Sequence, residues 1–298
     1  MTSSTSPSRP WWQPEAFDYS RLQLFLMRLG FAALIFWNIK WETRKFTTQD
    51  HPNGLAQWFD FTWLAHNPPD WGLKGLTIAG LLLYVVGIVP VIGLLPVLFF
   101  AMSIGTLVLS QGEIQHSWQL ITLMGLAQWA VYLFHDRKSF FKPSFETQRQ
   151  AAYWSTVVIA AGYVVCGLVK VLVSKGLWIW KSPFLAVQVM KTNWANYYDT
   201  LEKPAAWLES TTQFLVDHPW LTRAFFGSGL LIELFAFVIL INRRWAFWFG
   251  LSMISLHWGI SELMNLHFIQ HIIAILIFLI MPNIPGIWPK QTSEGKAA

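Results

Sequence analysis

The chain has 298 residues, of which 54% are hydrophobic and 12% charged, about half the charged share of an ordinary soluble domain. With a mean hydropathy of +0.40, it reads as an integral membrane protein, and disordered, fibrous and secreted disulfide-rich classes are excluded. One cysteine, Cys166, excludes an intrachain disulfide and a four-cysteine zinc site.

Residues 1–20 open with MTSSTSPSRPWWQP, a polar, Ser/Pro-rich stretch without the layout of a signal peptide, expected to be a disordered tail. A first span covers about Leu22–Asn38, and Arg28, two turns inside it, is expected to snorkel to the headgroups. Residues 40–72 form a polar, aromatic loop with turn signals at HPNG and NPPD, and LAQWFDFTWLAH (55–66) suits a helix lying in the interface. Leu73–Ser110 is too long for one span of about 20 residues; Pro90 and Gly93 divide it into 73–89 and 92–110. Further spans are Trp118–Phe134, Trp154–Val173, Arg223–Ile241, Trp245–Ile260 and Phe268–Pro282. The expected fold is all-α: a polytopic helical bundle of about eight transmembrane helices over 21–282, followed by a cytoplasmic tail, 283–298. Of the 19 tryptophans, Trp37, Trp71, Trp118, Trp154, Trp178, Trp245, Trp258 and Trp288 sit where apolar runs begin or end. That is the placement of headgroup-level anchors, and a lipid or quinone pocket is the sharper use for a few of them.

Eight spans put both termini on one side. That side carries ten Lys/Arg (Arg9, Arg21, Arg137, Lys138, Lys142, Arg149, Arg243, Arg244, Lys290, Lys296) against five Asp/Glu. The other side carries nine against ten, in longer loops. Lys/Arg density in short loops near span ends marks the cytoplasmic face. Both termini are therefore expected in the cytoplasm, in the inner or plasma membrane if the source is bacterial. The basic excess is a topological signal, so no nucleic-acid partner is expected.

Ionisable residues inside a membrane are costly and each calls for a function. Glu233 lies near mid-span and must be neutral, paired or beside water. The other polar residues converge on the non-cytoplasmic level: His116 opens the fourth span, Lys170 lies one turn before the end of the fifth, and His257 one turn before the end of the seventh. Glu262 and His267 follow in the loop, and His271 is one turn into the eighth. Tyr163, Cys166, Gly167 and Lys170 recur at helical spacing on one face, and the small residues there admit a neighbouring helix or a ligand. A partly dehydrated lysine is disposed to lose its proton and act as a base; a snorkelling lysine is the alternative. His267 and His271 form a single HxxxH pair, too few ligands to expect a metal, and HExxH, GxSxG, P-loop and GxGxxG motifs are missing.

Two segments resemble a known family. QHSWQLITLMGLAQW (115–129) resembles the His-bearing helix start of the vitamin K-dependent γ-carboxylase membrane domain, and YVVCGLVKVL (163–172) resembles its Y-x-x-A-G-x-x-K segment, with Cys166 in the alanine position. The wider group is the HTTM family, and the resemblance extends over about residues 20–282 through Glu233, Arg243-Arg244, LSMISLHWG and HFIQH. It implies Lys170 as the catalytic base acting on a reduced naphthoquinone (vitamin K or menaquinol type), with His116 hydrogen-bonding the reacting oxygen. It implies that the quinol reacts with oxygen to form a strong base, which removes a γ-proton from a peptide glutamate; carbon dioxide then adds, and the quinone leaves as its epoxide. Tyr163, Cys166, Gly167 and Trp118 are the candidate quinone contacts, with His257, Glu262, His267, His271 and Glu233 behind them. The animal carboxylases carry a large lumenal domain that grips a peptide substrate; the longest stretch on the corresponding side here is 174–222.

Three functions follow as expectations. The first is a quinol-dependent, carboxylase-like membrane enzyme, acting on a peptide or protein at the non-cytoplasmic face. The second is a non-enzymatic membrane subunit or peptide-maturation partner. The third is a haem or metal electron-transfer protein, whose nearest sign is the 14-residue separation of His257 and His271.

Overall fold

A computed structural model describes residues 17–42, 57–61, 63, 71–110, 116–135 and 141–288. Most of the expected tail at 1–20, half of the segment 55–66 and the last ten residues lie outside these. Among the described residues all regular structure is helical, with no strand.

The helices run α1 Arg21–Glu42, α2 Trp71–Val86, α3 Pro90–Ser110, α4 His116–Phe134 and α5 Phe145–Val173. A short α6, Trp178–Lys181, passes through a 3-10 turn, Ser182–Phe184, into α7, Leu185–Thr200; α8 is Ala206–Asp217 and α9 Pro219–Leu234. After a 3-10 stretch, Ala236–Leu240, come α10, Arg243–Met264, and α11, Ile269–Ile275, which continues as a π turn over Leu276–Ile280 and a 3-10 turn over Met281–Asn283. Each of the eight apolar runs read from the sequence thus has its helix. Two are long and apolar enough to cross a membrane, Arg21–Ile39 and Phe145–Val173; shorter apolar helices are Gly72–Val86, Pro90–Thr106, Trp118–Phe134 and Ile269–Asn283.

Local chemistry sets the boundaries. Pro90 opens α3, where its missing N–H costs nothing. Ser144 caps α5 by accepting from the Thr147 N–H at 3.2 Å, and Asn242 caps α10 by accepting from the Arg244 and Trp245 N–H groups at 3.0 Å each. Asn265 ends α10 in the left-handed region, φ 52°, a conformation asparagine tolerates. α2 and α3 form a hairpin whose closest approach is Gly80 to Gly93. A Cβ on Gly80 would stand 2.2 Å from the Gly93 carbonyl oxygen.

α3 packs on α4, α4 on α5, and α5 on α9 and the following 3-10 stretch, while α1 lies against α2, α5 and the π turn. One core runs through these helices, including Met27, Phe31, Tyr84, Leu94, Trp118, Ile159 and Phe278. It reaches back to Phe17 and Tyr19, both buried, and Asp18 pairs with Arg149 at 2.9 Å. The ordered core therefore begins inside the stretch expected as tail, and Asn283 is buried with it at the other end.

The stretch 174–222 is not an open loop. α6, α7 and α8 fold into a small layer with its own buried centre at Val189, Leu208 and Met264. Composition concealed this because these helices mix polar and apolar residues too evenly to read as spans. Arg28 also departs from expectation: it turns into the bundle, where its Nη1 lies 2.5 Å from the place a Cβ on Gly87 would take.

Candidate functional site

The site is built on one face of α5. Gly167 makes it possible: an added Cβ would meet the Leu234 side chain at 3.0 Å and the Leu234 backbone nitrogen at 3.1 Å. The end of α9 therefore lies directly on the α5 backbone, and one turn further along α5 Lys170 forms an ion pair with Glu233. Glu233 occupies the last turn of α9, just before the chain turns at Phe235 into the 3-10 stretch. Its Oε1 accepts from the lysine Nζ, while Oε2 is buried without a hydrogen-bond partner among the described residues. The Lys170 ammonium also lies 5.5 Å from the centre of the Trp178 ring, a cation–π distance.

This pair borders a cavity of about 660 Å³, within the size range of small-molecule sites. The walls come from Phe225, Phe226 and Leu230 of α9, from Trp248, Leu256 and Ile260 of α10, and from Trp178 and Leu185 of the small layer. Ser228, Ser252 and Ser255 add hydroxyls; Ser228 and Ser252 donate to carbonyls of their own helices at 2.6 and 3.2 Å. Lys170 and Glu233 are the only charged residues in its described lining.

Two turns back along α5, Tyr163 is buried and its hydroxyl hydrogen-bonds His257 Nε2. The His257 and His271 rings lie 5.3 Å apart, and His257 Nδ1 has no partner among the described residues. Phe268 joins the two groups: it lines the cavity and packs at 4.9 Å on His257 and 5.6 Å on His271. Neither Phe268 nor Trp178 carries a chemical signature in sequence; only the packing places them here.

The expected residues thus separate. Tyr163, Gly167, Lys170, Glu233, His257 and His271 come together. Cys166 is exposed, one position round the helix from Gly167. Glu262 and His267 are exposed and engaged locally, with Trp258 Nε1 at 3.1 Å and Ser261 Oγ at 2.8 Å. Trp118 is buried in the core and outside the cavity lining. His116 opens α4, and its side chain lies outside the described residues. Among the described residues no three His, Cys, Asp or Glu side chains gather as a metal set. Comparison with protein-family models, curated proteins and solved structures finds no match to this chain.

Proposed function

We propose that the chain is an eight-span membrane enzyme whose cavity takes a ring-bearing amphipathic substrate of the reduced-quinone class, with Lys170 as the base. The observation that carries this reading is a single ion pair on the wall of a cavity otherwise lined by apolar and hydroxyl groups. In support of the membrane assignment, Leu82, Ile92, Leu123, Val165 and Leu172 point outward while Gln23, Asn38, Thr77, Gln128 and Thr156 are buried, the reverse of a water-soluble bundle.

The cavity residues fit a reduced quinone: apolar walls for the ring and tail, and a proton-accepting pair for a hydroxyl. Such a quinol supplies the reducing electrons of the reaction. The protein supplies a proton acceptor. Passing the bridging proton from Lys170 Nζ to Glu233 Oε1 converts one partly exposed and one nearly buried charge into a neutral amine and a neutral carboxyl. A low-dielectric site favours that form, and the amine is then able to take a proton from a bound hydroxyl. The resemblance to the γ-carboxylase membrane domain adds carboxylation, or related chemistry, of a peptide at the non-cytoplasmic face, with both termini in the cytoplasm. The test is to extract quinone from purified protein and to assay epoxide formation from reduced naphthoquinone, with and without peptide. No bound quinone and no turnover would discard the reading.

A second reading rests on the small layer. Phe184 and Tyr198 are each 75% exposed and Trp220 70%, an aromatic surface suited to a peptide or a membrane-protein partner. A tight stoichiometric partner with no bound quinone would favour a non-enzymatic maturation role.

A further inference from the structure

At the opposite end of α5 lies a second polar site that the proposed reaction does not use. It is a small cavity of about 10 Å³ among Arg28, Tyr84, Gln128, Tyr132 and Gln148, closed by apolar side chains such as Met27 and Phe278. Gln148 is in the first turn of α5, 22 positions before Lys170, so the two sites are about 33 Å apart along the helix.

The hydrogen bonding is one-sided. Gln128 is 2% exposed; its Oε1 accepts from the Tyr84 hydroxyl at 2.5 Å, which leaves Nε2 as a donor with no partner among the described residues. Arg28 Nε is likewise buried and without a partner. The Tyr132 hydroxyl lines the same cavity as the guanidinium. Gln148 uses its Nε2 on the Pro143 carbonyl at 3.0 Å. The ion pairs among the described residues are Arg149 with Asp18 and Glu146, and Lys170 with Glu233; none involves Arg28. Gly87, at φ 77°, has no Cβ, which leaves room for the guanidinium.

The Arg28 guanidinium and two orphan N–H donors, one of them its own Nε, therefore line one cavity with the Tyr132 hydroxyl, and no carboxylate among the described residues pairs with Arg28. A water molecule can accept from both orphan donors but leaves the charge uncompensated; an anion meets the donors and the charge together. The space suits one sphere of about water size, which excludes phosphate and sulfate. We propose that this pocket binds a single halide-sized anion, which Arg28 and Gln128 hold between α1, α2, α4 and α5. Chloride requires slight yielding of the long Arg28 and Gln148 side chains.

The test uses the purified full chain in lipid nanodiscs at constant ionic strength. Thermal unfolding is followed as gluconate is replaced by chloride, bromide or sulfate. The expected result is a melting temperature that climbs and saturates with chloride and bromide and does not move with sulfate. Arg28→Gln should lose the halide response entirely. Gln128→Met, which keeps the cation, should shift the half-saturating chloride concentration upward by about tenfold, the loss of one charge-assisted hydrogen bond. If Arg28→Gln does not fold, the Gln128→Met shift and chloride-35 NMR line broadening, reversed by bromide, decide instead. A melting temperature indifferent to the anion, an equal response to sulfate, or an unchanged half-saturation in Gln128→Met would overturn the site.

Discussion

Lys170 and Glu233, 63 positions apart in sequence, meet as an ion pair because Gly167 lets α9 end directly on α5. Breaking such a pair from one side strands the other charge, at a cost of about 3–5 kcal/mol for a fully buried pair. Lys170 is one-third exposed, so about half that cost applies after solvent screening. Glu233→Leu and Lys170→Met should each lower the unfolding free energy by about that amount, and the double variant Lys170→Met/Glu233→Leu should recover most of it. Denaturant titration of the two single variants and the double variant decides. Strict additivity would mean that the pair does not act as a unit.

The base assignment makes a separate prediction. Guanidinium remains protonated, so Lys170→Arg preserves the ion pair but supplies no neutral amine. Turnover of a reduced naphthoquinone should fall at least a hundredfold in Lys170→Arg and equally in Lys170→Ala, while Lys170→Arg melts close to wild type. Full activity in the arginine variant would remove Lys170 as the base.

Gly167 gives a stability prediction with an internal control. In a helix interior, Gly→Ala is worth about 1 kcal/mol in favour of alanine. At Gly162 the new methyl meets only Leu120 Cδ1 at 3.7 Å, so Gly162→Ala should be neutral or stabilising. At Gly167 it presses on the Leu234 backbone, which cannot rotate away, so Gly167→Ala should be net destabilising by about 1–2 kcal/mol. Gly80→Ala should be worse than either, with the Gly93 carbonyl in its path. A stabilised Gly167→Ala would mean that α9 yields easily and that the contact does not position Glu233.

Much of this was legible in sequence. Each of the eight apolar runs coincides with a helix, because a run of that length must bury or face lipid whatever surrounds it, whereas α7, as long as α2 and α9, was not found this way. Helical spacing correctly put Tyr163, Gly167 and Lys170 on one face. The same spacing placed Cys166 with them, yet it is exposed: i+3 and i+4 straddle a helix face, and only packing shows which one points inward. The Lys170–Glu233 pair was not legible. Glu233 was read as mid-span, but α9 ends beside it and brings it to the level of Lys170. The layer α6–α8 was missed for the reason given by its composition, and with it the contribution of Trp178.

The Tyr163–His257 hydrogen bond joins α5 to α10 in the core. Tyr163→Phe removes the partner of His257 Nε2, leaving both ring nitrogens unmet among the described residues, and should cost about 1–3 kcal/mol. His257→Leu should cost a similar amount by stranding the tyrosine hydroxyl. The double variant should fall short of the sum by 0.5 kcal/mol or more, the coupling expected of residues in direct contact, for which 0.5–3 kcal/mol is typical. A double-mutant cycle with no coupling would make the bond energetically idle.

Topology supplies the last prediction. α5 joins Lys142, exposed just before its start, to the layer that holds exposed Gln213 on α8, so the two positions report opposite ends of one long helix. The dense basic stretches, 135–150 and Arg243-Arg244, belong at the Lys142 end, and Lys/Arg density of that kind predicts a cytoplasmic location for that end. Cys166 is exposed and must first be replaced by serine. In that background a membrane-impermeant maleimide applied to intact cells should label Gln213→Cys, and should label Lys142→Cys only after lysis. Labelling of Lys142→Cys in intact cells, with Gln213→Cys protected, would invert the chain and move the Lys170 cavity to the cytoplasmic face. A peptide substrate would then have to be cytoplasmic, so this experiment also constrains which partner the aromatic layer meets.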